Sequence, residues 1–365
     1  MQETGRITGQ QMAFILYCVV SSTGTLILPS LTGALAKRDL WISPIWGALV
    51  GLIALLLAFG LNRLYPGENI IQQAPRILGF YLGKFIGFFY LISLIILAGS
   101  NTYQYTEFIK TVFLPRTPEM VIMGSIIFVC GLAARGGVEL LGRSAQFVTP
   151  IFILIFTILI ILSIQAWDAN NFFPVMEHGV LPSVRGGITQ SLWFSELFLI
   201  SFLFPFIIKG EKKMRWSLLS LFGVLLTLLL VNMSILAVFG IESHIYIFAF
   251  FKVTRYISYA NFFEHLDAFS LATWILVIYV KIAFLIYITS LATAQWLHLS
   301  NYRPIVWPIC LLAGGFGMWT APTIFKLMTY LRSTGPWQFI VFLVIIPALL
   351  LLIAFFRKRM EVRAR

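Results

Sequence analysis

Two ionisable side chains lie deep inside apolar runs: Glu196 in SLWFSELFLISFLFPF and Lys281 in WILVIYVKIAFLIYI. A lone charge costs several kcal/mol at the centre of a hydrocarbon layer, so the two are expected to pair or to share a wet cavity. A lysine that can lose its charge on burial is also a candidate proton carrier. The plain alternative is a structural ion pair that holds two segments together. Trp193 and Ser195 flank Glu196 and would share its cavity. Thr289 and Thr293 continue the Lys281 face two to three turns further on, although threonine bonding to its own helix backbone is the commoner explanation of such residues.

A second cluster is Ser21, Ser22, Thr23, Gly24 and Thr25, which interrupts strong hydrophobes, with Pro29 a turn later. Unwinding there would point backbone N–H groups, at the positive end of a half-helix, toward an anionic group such as a carboxylate. Close packing of two helices through small residues is the alternative. A third is Ser100, Tyr103, Gln104 and Glu107, whose spacing puts all four on one helix face that must meet protein or water. Glu107 lies in the outer half of its run, where a snorkelling interfacial carboxylate is also reasonable.

The elements that must position these residues follow from composition. The 365 residues are 59% hydrophobic and 11% charged, with a mean hydropathy of +0.92, whereas soluble domains carry about 25% charged residues. Apolar runs of about 20 residues suit helices that cross a bilayer, and the runs lack the alternation of a membrane barrel. The chain reads as all-α and polytopic, a single transporter-like domain over 1–365 with the lipid bilayer as its solvent. Ten spans are predicted at 7–36, 41–61, 80–113, 119–134, 144–164, 185–208, 216–240, 266–297, 304–320 and 336–356. The stretch 242–264 is expected to carry a short interfacial helix. A polar N-terminus and a long first run argue against a signal peptide.

Five spans precede the connector 165–184 and five follow it. An odd number per half inserts the second half upside down, so an inverted repeat is expected, about 7–164 and 185–356. In that arrangement the first helix of each half is broken near the midplane; the sixth span, around Trp193 to Glu196, contains no glycine to mark a break. If ten spans hold, 16 Lys and Arg lie on the side of the termini and 9 on the other, with Lys281 within a span, which places both termini in the cytoplasm. The net charge of +12 is spread between apolar runs and so implies orientation and not nucleic acid. Cys18, Cys130 and Cys310 sit in apolar runs as small hydrophobes. No disulfide, metal or cofactor is expected. The Trp and Phe residues read mostly as lipid-facing bulk or interface anchors. His178, His244, His265 and His298 fall in loops or at helix ends without a catalytic or metal-ligand spacing, so an intramembrane enzyme is not expected.

Four stretches in order, LPRTP at 114–118, RGGVELLGR at 135–143, NFFPVMEHGVLP at 171–182 and FEHLDAF at 263–269, resemble the B subunit of bacterial endospore germinant receptors. That family belongs to the amino acid, polyamine and organocation transporter superfamily. The resemblance implies the inverted five-plus-five fold of the LeuT type and a permease-like subunit that binds a small germinant, often an amino acid. It also implies an A subunit and a lipoprotein C subunit as partners, and the inner membrane of the spore as location. Carried onto this chain, the ligand region of the first helix falls at Ser22 to Thr25 and the third-helix glutamate before the LPRTP motif is Glu107. The glycine missing from the sixth span and the intramembrane Lys281 depart from the pattern. A proton-coupled amino acid transporter using the same cavity is the competing reading.

Overall fold

The computed structural model describes residues 3–256, 267–320 and 323–363. Among these described residues seven helices are individually long and apolar enough to cross a membrane, and two bent pairs raise the number to nine. A further crossing, the sixth in chain order, is 181–206, which no single α-helix spans because it changes type midway. Its first part, Leu181–Ser195, is α-helical, and the continuation Glu196–Phe202 and Phe204–Phe206 is 3₁₀. A tighter turn in mid-membrane is an uncommon choice that often marks a hinge, and here it begins on Glu196 itself. The sixth span is therefore altered at Glu196 without a glycine there.

The first crossing starts at a capping box, in which Thr8 and Gln11 exchange side-chain and backbone bonds, and Gly9–Leu26 then runs unbroken through Ser21, Ser22, Thr23, Gly24 and Thr25. The expected unwinding of those five residues does not occur. The break falls at Ile27, where the axis turns by 60° into Leu28–Trp41. Pro29 explains the shift, because a proline lacks the N–H that the carbonyl four residues back, on Thr25, would accept, and its ring crowds that carbonyl.

The second to fifth crossings are Ser43–Leu64, Phe80–Val112, Glu119–Gly136 and Val138–Ser163; the seventh is Lys213–Phe239 and the eighth Asp267–Trp296. The ninth is Val306–Thr320, and the tenth joins Thr334–Ile340 to Ile346–Arg363 through a π-helical turn. The fifth begins six residues before its predicted start, since Gly137 takes a φ of 88° that ends one helix and admits the next. Two short helices were not expected. Ile70–Leu78 reads as polar loop but buries Ile70, Ile71, Ala74 and Ile77 on one face, and Ile324–Arg332 follows the ninth crossing. The helix expected in 242–264 is Ala249–Tyr256; most of the FEHLDAF motif lies outside the described residues.

Two contacts fix the packing around the centre. The third and ninth crossings meet at Gly99 and Gly317, where a Cβ on Gly317 would stand 2.6 Å from the Gly99 carbonyl oxygen. The N-terminal arm crosses the end of the bundle: Ile7 donates to the Phe206 carbonyl at 2.9 Å and accepts from the Ile208 N–H at 3.0 Å. On the same arm the Glu3 carboxylate accepts from the Val138 N–H and the Tyr302 hydroxyl. Burial, and then the nearby Glu3 charge, hold the Tyr302 phenol above its usual range, so it remains a donor. The other terminus reaches the same face, with Lys358 donating to the Leu64 carbonyl at 2.8 Å.

Candidate functional site

The first, third, sixth and eighth crossings converge on the Thr23 hydroxyl. It accepts from the Trp193 indole N–H at 2.8 Å and from Lys281 Nζ at 2.9 Å, and donates to Asn101 Oδ1 at 3.2 Å. Lys281 Nζ also lies 2.8 and 3.1 Å from the two Glu196 carboxylate oxygens, and both side chains have zero solvent exposure. The three ammonium protons are thus committed. Glu196 is less well served, since among the described residues each oxygen accepts one hydrogen bond, from that same ammonium, while a carboxylate can accept about four. The 3₁₀ turn at Glu196 positions the acid; helix capping by Ser195 plays no part, its hydroxyl donating to the Leu192 carbonyl.

The structure brings together Thr23, Trp193, Glu196 and Lys281 of the residues expected at the site. Gly24 lies beneath the Trp193 ring, 3.8 Å from a built Cβ to the nearest ring atom. Thr25 accepts from the Trp274 indole at 3.0 Å and donates to the Ser21 carbonyl. Among the described residues Ser21 Oγ, Ser22 Oγ, Tyr103 OH and Gln104 Oε1 are buried without a hydrogen-bond partner, which is costly unless water or a ligand satisfies them. Ser100 and Thr289 bond to their own helix backbones, at Leu97 and Leu285, because a threonine or serine inside a helix finds the carbonyl one turn back as its nearest acceptor. Glu107 is buried, but its helix neighbour Lys110 pairs with Glu119 at 2.9 Å.

Asn101 and Trp274 were missed. Asn101 stands one position off the Ser100–Glu107 stripe on the third crossing, and in the sequence Trp274 reads as one more aromatic anchor. Both Trp193 and Trp274 are fully buried, and Trp274 is the hub of a lid. Its ring meets Phe156 at 5.4 Å, Phe108 at 5.6 Å and, from the short helix Ala249–Tyr256, Phe250 and Phe251 at 6.1 Å. An indole with a polar handle on Thr25 and an aromatic body outside it separates the polar junction from the far face. On the face of the termini the arm through Ile7 and Glu3 crosses the end of the bundle, bonded to Phe206, Ile208, Val138 and Tyr302. Among the described residues no group of three His, Cys, Asp or Glu is placed to hold a metal.

A family model described as "Spore germination protein" matches residues 6–322. Spore germination protein KB of Bacillus subtilis is 25% identical over 84% of this chain and 83% of its own length. YndE of the same organism is 24% identical over 80% and 81%, and spore germination protein XB of Bacillus anthracis 26% over 76% and 78%. Among solved structures, Mhp1, a nucleobase-cation-symport-1 family transporter in a closed conformation with bromovinylhydantoin bound, matches with a TM-score of 0.70, 10% identity and coverage of 90% of this chain and 74% of that one. MhsT in complex with L-phenylalanine matches with a TM-score of 0.66, 11% identity and coverage of 97% and 99%. The fold is that of LeuT-type transporters, an inverted repeat of five crossings and five.

Proposed function

The chain belongs to the spore germination protein family, and on that premise we propose that it is the permease-like, ligand-sensing subunit of a spore germinant receptor. In this reading it resides in the inner membrane of the spore with both termini in the cytoplasm, and it acts with an A subunit and a lipoprotein C subunit. It is a multi-pass membrane protein with a transporter fold and a role in germination. The germinant we assign to it is a small zwitterion of the amino acid type, bound at the junction of the first, third, sixth and eighth crossings.

The observation that carries the assignment is the Glu196–Lys281 pair with no exposure at either side chain. A ligand of net charge would unbalance a buried neutral pair and cost several kcal/mol, since an uncompensated charge is left in a medium of low dielectric. A ligand that brings one ammonium and one carboxylate can exchange partners instead. Its ammonium takes the open lone pairs of Glu196, its carboxylate takes Lys281, and the unpartnered Ser22, Tyr103 and Gln104 offer further polar contacts. Separating Glu196 from Lys281 loads the 3₁₀ turn that begins at Glu196, which gives ligand binding a lever on the sixth crossing.

Closure on both faces, by the aromatic lid and by the N-terminal arm, also suits a permease that moves its ligand, and proton-coupled transport is the second reading. Binding to purified protein of a zwitterionic amino acid, its amide and its des-amino acid tests the assignment. The zwitterion should bind and the amide and acid should not. Equal binding of the amide or the acid would rule out charge-balanced recognition, and uptake into vesicles would favour transport.

A further inference from the structure

On the face that carries the termini, a groove of about 420 Å³ gathers three cations, Arg6, Lys209 and Lys213, without a carboxylate in its lining among the described residues. It lies between the end of the second crossing at Asn62, the end of the sixth at Phe204 and Ile208, and the start of the seventh at Lys213. None of the three cations forms an ion pair among the described residues. Arg6 donates to the Pro205 carbonyl and Lys213 to that of Phe204 at 3.4 Å, its ammonium 5.8 Å from the centre of the Phe204 ring. Glu3, on the same arm, is committed to Val138 and Tyr302. Glu211 lines an adjoining hollow with Lys209, Lys212 and Arg215.

Three like charges held together without a counter-ion repel one another, and an anion relieves that repulsion. The position narrows the kind of anion. The groove sits where the apolar parts of the second and seventh crossings end, and Ile208 at its edge is 43% exposed. Further into the membrane Leu56, Leu218 and Phe222 are 51%, 40% and 63% exposed, so both flanking helices offer apolar surface to acyl chains. Basic pockets between membrane helices at headgroup level suit anionic lipids.

We propose that this groove binds the phosphate of an anionic phospholipid headgroup, gripped by Arg6, Lys209 and Lys213, with acyl chains lying along the second and seventh crossings. The phosphate takes over two cations that now hold the carbonyls of Phe204 and Pro205, at the end of the segment that begins with Glu196. Lipid occupancy is thereby coupled to closure of this face.

Thermal unfolding of the purified full chain in a neutral detergent, with phosphatidylglycerol, phosphatidylcholine or inorganic phosphate added, tests the proposal. Phosphatidylglycerol should raise the melting temperature well beyond phosphatidylcholine. The combined substitution Arg6→Gln, Lys209→Gln, Lys213→Gln should abolish the difference, whereas Arg143→Gln, Lys212→Gln, Arg215→Gln, which removes equal charge from the same face, should keep it. Lys209→Gln alone, at a side chain that anchors no carbonyl, should reduce it without disturbing the fold. Equal shifts from both lipids, or equal loss in the control variant, would overturn the site. A full effect from inorganic phosphate would assign the groove to a soluble anion and overturn the lipid.

Discussion

Thr23 accepts two hydrogen bonds and donates one, which exhausts a hydroxyl, so a single side chain ties four crossings together. Thr23→Val keeps the shape and strands Trp193, Asn101 and part of Lys281; a loss of about 1–3 kcal/mol is expected in unfolding experiments, and Thr23→Ser should restore most of it. The ion pair makes a sharper case. Glu196→Gln or Lys281→Met alone leaves a buried charge without its partner and should cost about 3–5 kcal/mol, while the double substitution should be nearly neutral. A double variant less stable than either single would contradict this. Gly24→Ala should be tolerated, because its Cβ would meet Leu228 at an ordinary 3.5 Å, but Gly24→Leu should push on Trp193 and lose ligand binding in folded protein. Glu196 and Lys281 were legible in the sequence because charge inside a hydrophobic run needs an explanation. Asn101 and Trp274 were not, since an amide beside a serine and a tryptophan among many aromatics carry no signal until the helices are docked.

Long apolar helices declared themselves by length and hydropathy, which depend on the bilayer and not on partners. What sequence misplaced were breaks and short amphipathic pieces. The cluster of small polar residues drew the break to Ser21 through Thr25, but backbone geometry follows the missing N–H of Pro29, and the turn falls at Ile27. Pro29→Ala should therefore straighten the first crossing and weaken ligand binding more than it weakens the fold. Ile70–Leu78 reads as loop in the sequence because its nine residues contain Pro75, although burial of one face decides such helices. The contact of Gly99 with Gly317 is equally silent in sequence. Gly317→Val puts side-chain atoms against a backbone carbonyl and should destabilise by at least about 1–3 kcal/mol, whereas the same change at Gly124, which has open space around it, should leave stability nearly unchanged.

At the scale of the whole molecule, the polar junction is enclosed by Trp274 and its aromatic neighbours on one side and by the arm of Glu3 and Ile7 on the other. Removal of residues 1–8 should leave the crossings inserted while exposing a cysteine placed at Ser21 to a polar thiol reagent from the side of the termini; unchanged protection would show that the arm is not the closure. The excess of Lys and Arg on that side predicts that a reporter after Arg365 reads as cytoplasmic. The most direct measurement is the separation of Lys281 Nζ from the Glu196 carboxylate in a structure determined with a zwitterionic amino acid bound. The present 2.8 Å contact should be gone, with the ligand carboxylate on Lys281 and its ammonium on Glu196. An intact pair with the ligand bound elsewhere would contradict recognition by partner exchange.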